Sequence, residues 1–592
     1  MPALTLVSQD APFGASLGDD CEGRLDVWFA GGVEEFDREF LRRFLPGADR
    51  IGVESPGQPQ RGGLHVVIRS PFPDIEIPDV SLTDYVLARV DEFGDRPAFI
   101  DASSGQTITY AQLRESVTEV AAGLAQRGFG KGDVFAHYAP NLPEYAVAFH
   151  AVATVGGVNT TANPLLTVDE LAAQLNDSGA RLLVTVPELL EKATAATARA
   201  GVEVMFVYGE GEGATPFAAL RLAGVEPPEV MIDPARDLVV LPYSSGTTGL
   251  PKGVMLTHRN LVANICQSIS CERWEEEDDR EDRVVAVLPF FHIYGLVWIM
   301  NIPIYFGNTV VTMPRFDFRE FLRVIQDFRI TRAALVPPII LALAKHPLVD
   351  EFDLSSLEFI GSGAAPLSAE VEEACARRLG CRIQQGYGLT ETSPTTHRVT
   401  DDLAGQMPGE VGPPLPNTEC RIVDVATGED VAAGEPGELL IRGPQVMTGY
   451  LNKPQATALA IDPDGWLHTG DIARIEKNGA LRIVDRIKEL IKYKGYQIAP
   501  AELEAVLLTH PAITDAAVIP IPDEEAGEVP KAFVVASQSI TPEEVTRFVA
   551  ERVAPYKKVR AVEIVDEIPK SPAGKILRRV LIERERIAAI AG

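Results

Sequence analysis

Hydroxyl, glycine and lysine residues are concentrated in one stretch that could hold phosphate groups. The stretch runs from Ser244 to Gly253 and reads SSGTTGLPKG. Glycines let the backbone approach a ligand closely and turn successive N–H groups toward an anion, while the hydroxyls and Lys252 supply donors and positive charge. A P-loop has glycine directly before its lysine, whereas Pro251 stands there in this chain. We therefore predict an oxyanion-binding loop, with a flexible linker as the alternative.

Five further segments carry residue types suited to nucleotide or carboxylate chemistry. Thr390 and Glu391 place a hydroxyl beside a carboxylate, which suits Mg²⁺ on a nucleotide. Asp471 could accept hydrogen bonds from both hydroxyls of a ribose. The three remaining segments are the one around His292, the basic run from Arg486 to Lys494, and the Pro/Gly turn that carries Lys575. Each signal is weak alone, because core histidines, ordinary turns and solvated lysines are common.

A phosphate-binding loop needs rigid support, and the sequences on either side of it predict a strand before the loop and a helix after it. Residues 238–241 form an apolar run typical of a buried strand, and Thr257 can cap a helix that begins at His258. The same alternation of apolar strands and helices extends from about Leu82 to Ile360. This alternation predicts a layered α/β architecture, in which helices cover the faces of the sheets.

Two smaller units are predicted after the layered region. Short strands and turns between Pro413 and Ile483 indicate a small β subdomain. A compact α+β unit follows, with a helix from Pro500 to Leu508 and a capping box at Thr541. We divide the chain into residues 1–68, 69–485 and 486–592. The first segment is predicted to be disordered, or to precede a true start near His65.

Composition and charge argue against several classes of partner. The chain has 84 acidic and 54 basic residues and a net charge of -30, which repels nucleic acid and anionic lipid. Its six cysteines form neither a disulfide framework nor a CxxC metal pattern. No apolar run approaches the roughly 18 residues of a membrane helix, and no signal-peptide pattern is present. We predict a cytoplasmic monomer or homodimer with no nucleic-acid partner and no membrane span.

Taken together and in their order along the chain, the six segments closely resemble those of the adenylate-forming superfamily of acyl-CoA synthetases, luciferases and peptide-synthetase adenylation domains. The resemblance extends from about Arg69 to Arg579 and is closest to the 4-coumarate–CoA ligase branch. It implies a large, multi-subdomain N-terminal domain and a small, mobile α+β C-terminal domain. It also implies an ATP-dependent carboxylate–CoA ligase that uses ATP, Mg²⁺ and coenzyme A. The implied substrate is a small carboxylic acid, hydroxycinnamate-like or another aryl acid, which is converted through acyl-AMP.

The resemblance assigns a role to each candidate residue. The residues implied to hold the ATP triphosphate are Ser244, Ser245, Gly246, Thr247, Thr248 and Lys252. Those implied to hold the adenine, the α-phosphate and the ribose are Gln385, Gly386, Tyr387, Thr390, Asp471 and Arg486. Glu391 would help place Mg²⁺. Those implied to line the acyl pocket are Tyr294, Gly295, Trp298, Ala364 and Gly388.

The resemblance also implies that the C-terminal domain serves both half-reactions. Lys575 would bridge the acyl carboxylate and the α-phosphate while acyl-AMP forms. The domain would then rotate about Lys488, withdraw Lys575 and bring a second face to the adenylate. His292 would gate the acyl pocket and assist thioester formation. Lys492, Lys494 and Gly495, on the second face of the C-terminal domain, are implied to bind cofactor. Arg315, on the N-terminal domain, is implied to bind it as well.

Trp298 departs from the family pattern, in which a small residue is usual at this position. A tryptophan could shorten the pocket, stack on the substrate ring, or simply pack in the core. Cinnamate, benzoate-like acids and medium-chain acids therefore remain open. The alternative functions are a medium-chain fatty acyl-CoA synthetase, a stand-alone adenylation enzyme and an adenylate-binding sensor. An amino-acid-activating domain is disfavoured, because Ile293 stands after His292 where those domains place an aspartate.

Overall fold

Two eight-stranded sheets, sheet A and sheet B, form the larger part of the structure, which is a computed structural model. It describes residues 65–244, 251–271, 281–432, 434–476, 479–494, 496–523, 526–571 and 574–591, together with the strands Leu4–Val7, Arg24–Phe29 and Gly32–Asp37. The predicted site residues that lie outside the described residues are Ser245, Gly246, Thr247, Thr248 and Gly495. Arg24–Phe29 and Gly32–Asp37 pair with each other as an antiparallel ribbon.

Both sheets have parallel centres; sheet B is antiparallel at both edges, whereas sheet A is antiparallel only at the edge formed by Lys252–Thr257 and Gly449–Tyr450. Sheet A contains, in spatial order, the strands Thr215–Pro216, Val204–Val207, Ala180–Thr185, Val134–Tyr138, Val158–Thr161, Leu238–Ser244, Lys252–Thr257 and Gly449–Tyr450. Sheet B contains, in spatial order, Thr395–Arg398, Arg382–Gly388, Phe359–Ser362, Arg332–Leu335, Arg283–Ala286, Thr309–Thr312, Pro97–Asp101 and Thr107–Thr109. Parallel strands need cover on both faces, which explains their nearly continuous apolar sequences.

Helices lie along the chain before and between these strands, and most of them bury an apolar face. Their bounds are Leu82–Val86, Val90–Phe93, Tyr110–Gln126, Pro143–Thr154, Val168–Ser178, Leu190–Ala200, His258–Ile269, Ile302–Phe306, Phe318–Phe328, Pro337–Lys345, Ala369–Leu379 and Pro454–Ala460, with a π-helix at Gly295–Asn301. The predicted cap at Thr257 is confirmed: its hydroxyl accepts the Asn260 amide, and the Asn260 side chain accepts the Thr257 amide. This reciprocal capping fixes the start of the helix that follows the phosphate-binding loop.

A six-stranded antiparallel sheet, sheet C, forms the predicted small β subdomain. Its strands, in spatial order, are Leu4–Val7, His65–Arg69, Glu419–Val423, Gly437–Arg442, Leu467–Ile475 and Leu481–Arg486. The last of them leads into a compact α+β unit built on sheet D. Its strands are Tyr496–Ile498, Ile491–Tyr493, Gly527–Ala536, Ile513–Asp523 and Ala561–Ile564, and its helices are Pro500–Leu508, Pro542–Ala550 and Arg578–Ala591. The predicted helix at Pro500 and capping box at Thr541 are both confirmed.

Aromatic packing between sheets A and B anchors the segment that carries His292. Phe290 is fully buried and contacts Phe99 and Tyr145, with ring centroids 6.5 and 5.7 Å away. Its backbone N–H donates to Asn141 Oδ1 at 2.7 Å. These contacts fix the backbone just before His292, so the core holds that side chain in place. Within the described part of the chain, no helix is both long and apolar enough to cross a membrane.

Four fully buried histidines should make the fold sensitive to acid. Burial lowers the pKa of His137 and His258 to about 4, and that of His150 and His397 to about 3. An unfolded histidine titrates near 6.5, so the unfolded chain binds more protons below that pH and the free energy of unfolding falls toward pH 4. A site whose pKa falls from 6.5 to about 4 contributes roughly 3 kcal/mol, and one whose pKa falls to about 3 contributes roughly 5 kcal/mol, once the pH has passed the folded pKa.

Urea unfolding of wild type and His150→Gln between about pH 7 and 5 tests this expectation. The variant removes one of the titrating imidazoles, so its free energy of unfolding should depend less steeply on pH than that of the wild type. Comparing the two proteins cancels the contributions of carboxyl groups that titrate in the same range. Parallel curves would contradict the prediction.

Candidate functional site

The predicted phosphate-binding loop begins and ends on adjacent strands of sheet A, which place Ser244 opposite Lys252. The Ser244 hydroxyl donates to Glu391 Oε1 at 2.9 Å, and the Tyr450 hydroxyl donates to the same oxygen at 2.9 Å. Lys252 Nζ lies 4.7 Å from the centroid of the Tyr450 ring. The structure therefore brings the predicted phosphate and metal residues Ser244, Lys252 and Glu391 together around one tyrosine.

Tyr450 is a residue that sequence reasoning missed. It ends the edge strand of sheet A and is 9% exposed. The strand that leaves the phosphate-binding loop pairs with it, Val254 opposite Tyr450. Burial raises the pKa of Tyr450 above its ordinary value, and the neighbouring Glu391 carboxylate adds to the effect, so the hydroxyl keeps its proton and remains a donor. Its position depends on a pairing between distant segments, which no local motif signals.

If Glu391 places the Mg²⁺ of a bound ATP, as the resemblance implies, replacing Tyr450 by phenylalanine should weaken the binding of magnesium–ATP. The ring under Lys252 is kept, but one of the two hydroxyls that orient Glu391 is lost. A hydrogen bond to a charged group contributes about 1.5–3 kcal/mol, so KM for magnesium–ATP should rise by about tenfold or more. Steady-state kinetics at varied Mg²⁺, together with calorimetric titration of the protein with magnesium–ATP, measure the effect.

A matched control is Tyr243→Phe, because the Tyr243 hydroxyl donates to the Asp177 carboxylate at 2.8 Å in the same sheet. That variant loses a bond of the same type away from Glu391, so its nucleotide affinity should stay at the wild-type value. An equal loss of affinity in both variants would contradict the role assigned to Tyr450.

The predicted ribose-binding carboxylate lies on the Leu467–Ile475 strand of sheet C. Asp471 is 3% exposed and accepts a 2.7 Å hydrogen bond from the Tyr387 hydroxyl. Arg486, its neighbour across the antiparallel ladder, forms an ion pair with it, Nε to Oδ1 at 3.1 Å. Burial raises the pKa of Asp471, while Arg486 and Tyr387 oppose that rise. Three predicted nucleotide residues thus meet at one carboxylate.

The strand of sheet B that carries Tyr387 also carries three other predicted residues. Gln385 uses its amide within the protein: Nε2 donates to Glu372 Oε2 at 2.6 Å, and Oε1 accepts the Leu367 amide at 3.2 Å. The predicted contact of Gln385 with adenine stays a prediction. Gly386 and Thr390 are half-buried. Only glycine fits at position 388, because a Cβ atom on Gly388 would lie 1.9 Å from the carbonyl oxygen of Pro394.

The C-terminal unit presents Lys575 to the same region. Gly574, before it, has φ +72°, and a Cβ atom there would lie 2.7 Å from the Val336 side chain, so the turn packs against sheet B. A second contact joins the two units, since Lys345 Nζ donates to the carbonyl oxygen of Leu508 at 2.7 Å. Burial, and after it the charge of Arg486, lower the pKa of Lys575 to about 8. Its charge in turn lowers the pKa of His292.

The pKa of Lys575 predicts the pH dependence of any step that needs its charge. In the free enzyme, the protonated form should be lost as pH rises through about 8, so kcat/KM for ATP in pyrophosphate exchange should fall there. Bound phosphates favour the charged lysine, so kcat should fall only at higher pH. Lys575→Arg stays protonated and should flatten the kcat/KM profile at a lower rate. A profile for this variant that falls like that of the wild type would contradict the assignment.

His292 is neutral at physiological pH. Burial is the larger cause and Lys575 the second, and together they lower its pKa to about 4. Its Nδ1 accepts the backbone N–H of Tyr294 at 3.3 Å, so the ring proton lies on Nε2, which can donate to a substrate oxygen. Gly295, next in the chain, has no room for a side chain, because a Cβ atom would lie 2.2 Å from the carbonyl oxygen of Pro289.

The predicted acyl-pocket residues lie at the carboxyl ends of sheet B strands and on the π-helix. The Tyr294 hydroxyl donates to the carbonyl oxygen of Gly361 at 3.3 Å. Trp298 Nε1–H donates to Thr395 Oγ1 at 2.8 Å, and Thr395 lies opposite Gly388 in the antiparallel ladder. Ala364 has φ +70° and an exposed side chain.

Four predicted cofactor residues have exposed side chains in this structure. They are Arg315, Lys488, Lys492 and Lys494. Lys488 follows the last strand of sheet C, at the passage between the two units, and the other two lysines lie on or beside the Ile491–Tyr493 strand of sheet D. The roles given to these four residues stay predictions.

Two protein-family models match the chain. One, described as AMP-binding enzyme, covers residues 86–451. The other, described as AMP-binding enzyme C-terminal domain, covers residues 502–575. The chain belongs to the AMP-binding enzyme family. The predicted superfamily and the mixed α/β fold, with a large N-terminal and a smaller C-terminal domain, are confirmed.

Plant 4-coumarate–CoA ligases are among the similar curated proteins. The chain is 44% identical over 531 residues to "4-coumarate--CoA ligase 5" of Oryza sativa subsp. japonica, covering 88% of this chain and 98% of that protein. It is 43% identical over 527 residues to "4-coumarate--CoA ligase" of Pinus taeda, with the same two coverages. The similarity to both spans nearly the full length of the plant proteins, so it includes both family domains.

Solved structures of similar fold include enzymes with bound nucleotide or adenylate. The anthranilate CoA ligase AuaEII in complex with anthranoyl-AMP has a TM-score of 0.80 and 25% identity, covering 87% of this chain and 99% of that one. ATP-bound MatB from Rhodopseudomonas palustris has a TM-score of 0.76 and 28% identity, covering 85% and 99%.

Proposed function

We propose that this protein is an ATP-dependent carboxylate–CoA ligase that acts on an aryl acid through an acyl-AMP intermediate. The observation that supports the proposal is that the turn before Lys575 packs on Val336, where the charge of Lys575 interacts with those of Arg486 and Asp471 and lowers the pKa of His292. A lysine in that position would lie between the proposed nucleoside site and the proposed acyl site. The relatives named as 4-coumarate–CoA ligases and the structural neighbour that binds anthranoyl-AMP support the reaction and the aryl substrate.

In the first half-reaction, a carboxylate oxygen of the acid attacks the α-phosphorus of ATP. The bond from that phosphorus to the bridging oxygen breaks, and pyrophosphate leaves. Asp471 binds the ribose hydroxyls, and Ser244 and Lys252 hold the phosphates. Lys575 binds the carboxylate and the α-phosphate together, which aligns them and neutralises charge as it builds on the transferring phosphorus. His292 donates from Nε2 to the acyl carboxylate.

Glu391 fits a magnesium ion that comes with the nucleotide. The carboxylate is buried beside the phosphate-binding loop and is oriented by the Ser244 and Tyr450 hydroxyls. Among the described residues, no three His, Cys, Asp or Glu side chains cluster as a metal site. A single carboxylate suits Mg²⁺, which usually keeps several waters and binds substrate phosphates. The ion would offset phosphate charge during pyrophosphate departure.

In the second half-reaction, the CoA thiolate attacks the acyl carbon of acyl-AMP, a C–S bond forms, and AMP leaves. The C-terminal domain, residues 486–592, rotates on the domain of residues 69–485 about Lys488. This rotation withdraws Lys575 and brings Lys492, Lys494 and Gly495 toward the adenylate, with Arg315 near the nucleotide of CoA. The contacts at Val336 and Lys345 hold the first orientation and break on rotation.

The proposal is tested by AMP release from ATP, with and without CoA, across a panel of aromatic and aliphatic acids. We expect CoA-dependent AMP release and a thioester product with aromatic acids. Pyrophosphate exchange without thioester formation would indicate a stand-alone adenylation enzyme. Preferred turnover of aliphatic acids would indicate a fatty acyl-CoA synthetase. Nucleotide binding without turnover of any acid would reject catalysis and favour an adenylate-binding sensor.

A further inference from the structure

An aromatic side chain in the predicted acyl pocket is held by two independent contacts. Trp298 Nε1–H donates to Thr395 Oγ1 at 2.8 Å. On the ring face, the guanidinium carbon of Arg398 lies 4.5 Å from the indole centroid, within the range of a cation–π contact. Any rotation of the Trp298 side chain would break both contacts, so these contacts hold the indole in one conformation.

The hydrogen-bond acceptor of Trp298 is itself fixed by a buried amide. Asn264 Nδ2 donates to the carbonyl oxygen of Thr395 at 2.6 Å, and Asn264 Oδ1 accepts the Thr395 N–H at 3.1 Å. Asn264 is fully buried. These two hydrogen bonds fix the backbone of Thr395, which also lies opposite Gly388 in the antiparallel ladder. The support of the indole therefore extends from the π-helix to the helix that follows the phosphate-binding loop.

Trp298 stands one helical turn beyond Tyr294, on the same face of the π-helix region. Side chains about four residues apart on a helix are neighbours, so the two rings follow one another away from His292. Both are partly exposed, unlike the buried residues around them. The Tyr294 hydroxyl is bonded to Gly361, and the side of its ring would lie only 3.0 Å from a Cβ atom at Gly363. If the acid enters from the His292 side, its ring passes Tyr294 and then meets the indole.

We propose that Trp298, held by Thr395 and Arg398, ends the acyl pocket and makes the enzyme select benzoate-length aryl acids over hydroxycinnamates. The inference rests on the proposed ligase function and names its substrate class. A hydroxycinnamate is longer than the matching hydroxybenzoate by one vinylene group between ring and carboxylate. With the carboxylate held near Lys575 and His292, that added length pushes the ring into Trp298. A flat benzoate ring can instead lie against the indole face, where stacking is favourable.

The test compares kcat/KM for 4-hydroxybenzoate and 4-coumarate, measured as CoA-dependent AMP release. The wild type should favour the benzoate, and Trp298→Ser should shift the ratio toward the cinnamate by about 10- to 100-fold, the usual effect of a few carbons in an apolar pocket. Thr395→Val removes the acceptor but keeps the side-chain shape, so it should shift the ratio in the same direction. Thr395→Ser keeps the hydroxyl and should retain the wild-type ratio.

The outcomes separate the two levels of the proposal. Wild-type preference for 4-coumarate, or equal ratios in Thr395→Val and Thr395→Ser, would overturn the inference while the ligase function stands. Failure of the wild type to release AMP with any acid would overturn both. The Thr395 pair gives the answer even where Trp298→Ser lowers the yield of folded protein, because threonine to valine is nearly isosteric and threonine to serine removes only one methyl group.

Discussion

Lys575→Ala should lower the rate of acyl-AMP formation by about 10²–10³-fold, the usual cost of removing one preorganised donor to a developing charge. The same variant should convert synthetic acyl-AMP and CoA to thioester at nearly the wild-type rate. The reason is the proposed division of labour: Lys575 serves the orientation seen here, in which its charge interacts with those of Asp471 and Arg486, and is withdrawn before the thiol attacks. Pyrophosphate exchange measures the first half-reaction and thioester release from acyl-AMP the second.

Lys570→Ala is the matched control, because Lys570 lies in the same loop but pairs within the C-terminal unit. Its Nζ is 2.5 Å from Asp515 Oδ2. That variant loses a lysine and an ion pair of the C-terminal unit without touching the nucleotide site, so both half-reactions should keep nearly wild-type rates. If Lys575→Ala slows both half-reactions equally while its thermal unfolding matches that of the control, the proposed rotation of the domain is wrong.

Local sequence patterns predicted the elements but not all of their partners. The strand before the phosphate-binding loop and the cap at Thr257 follow from hydrophobicity and from one short-range hydrogen-bond pair. Glu391 was predicted from its neighbour Thr390 in the sequence. The hydroxyl of Tyr450, which orients Glu391, could not be predicted, because it reaches the site through a pairing between distant strands.

The contacts of Trp298 in the predicted acyl pocket could likewise not be predicted from the sequence. By the resemblance, a tryptophan stands where a small residue is usual, and three interpretations of it remained open. Only the fold brings Thr395 and Arg398 to the indole, because both lie on the edge strand of sheet B. The lysines of the basic run illustrate the opposite case: Lys492 and Lys494 are exposed here, and the cofactor role that the resemblance implies for them stays a prediction.

Asp471→Asn should raise Kd for ATP by about 30-fold or more and also lower stability. Asparagine keeps the shape of the side chain but loses its charge, and charge-assisted hydrogen bonds are roughly twice as strong as neutral ones. The substitution also leaves the partly buried Arg486 without its counter-ion, which costs stability. Because Tyr387 donates to the same carboxylate, the adenine side of the site should loosen as well. Calorimetric titration with ATP and urea unfolding measure the two effects.

The control is Asp430→Asn, which breaks another buried aspartate–arginine pair within the same subdomain. Asp430 Oδ1 lies 2.9 Å from Arg421 Nε, and its side chain is about as buried as that of Asp471. The two variants should therefore lose comparable stability, since each leaves an arginine without its carboxylate. Only Asp471→Asn should lose affinity for ATP. If both variants bind ATP equally weakly, the loss reflects general loosening of sheet C, and Asp471 does not bind the ribose.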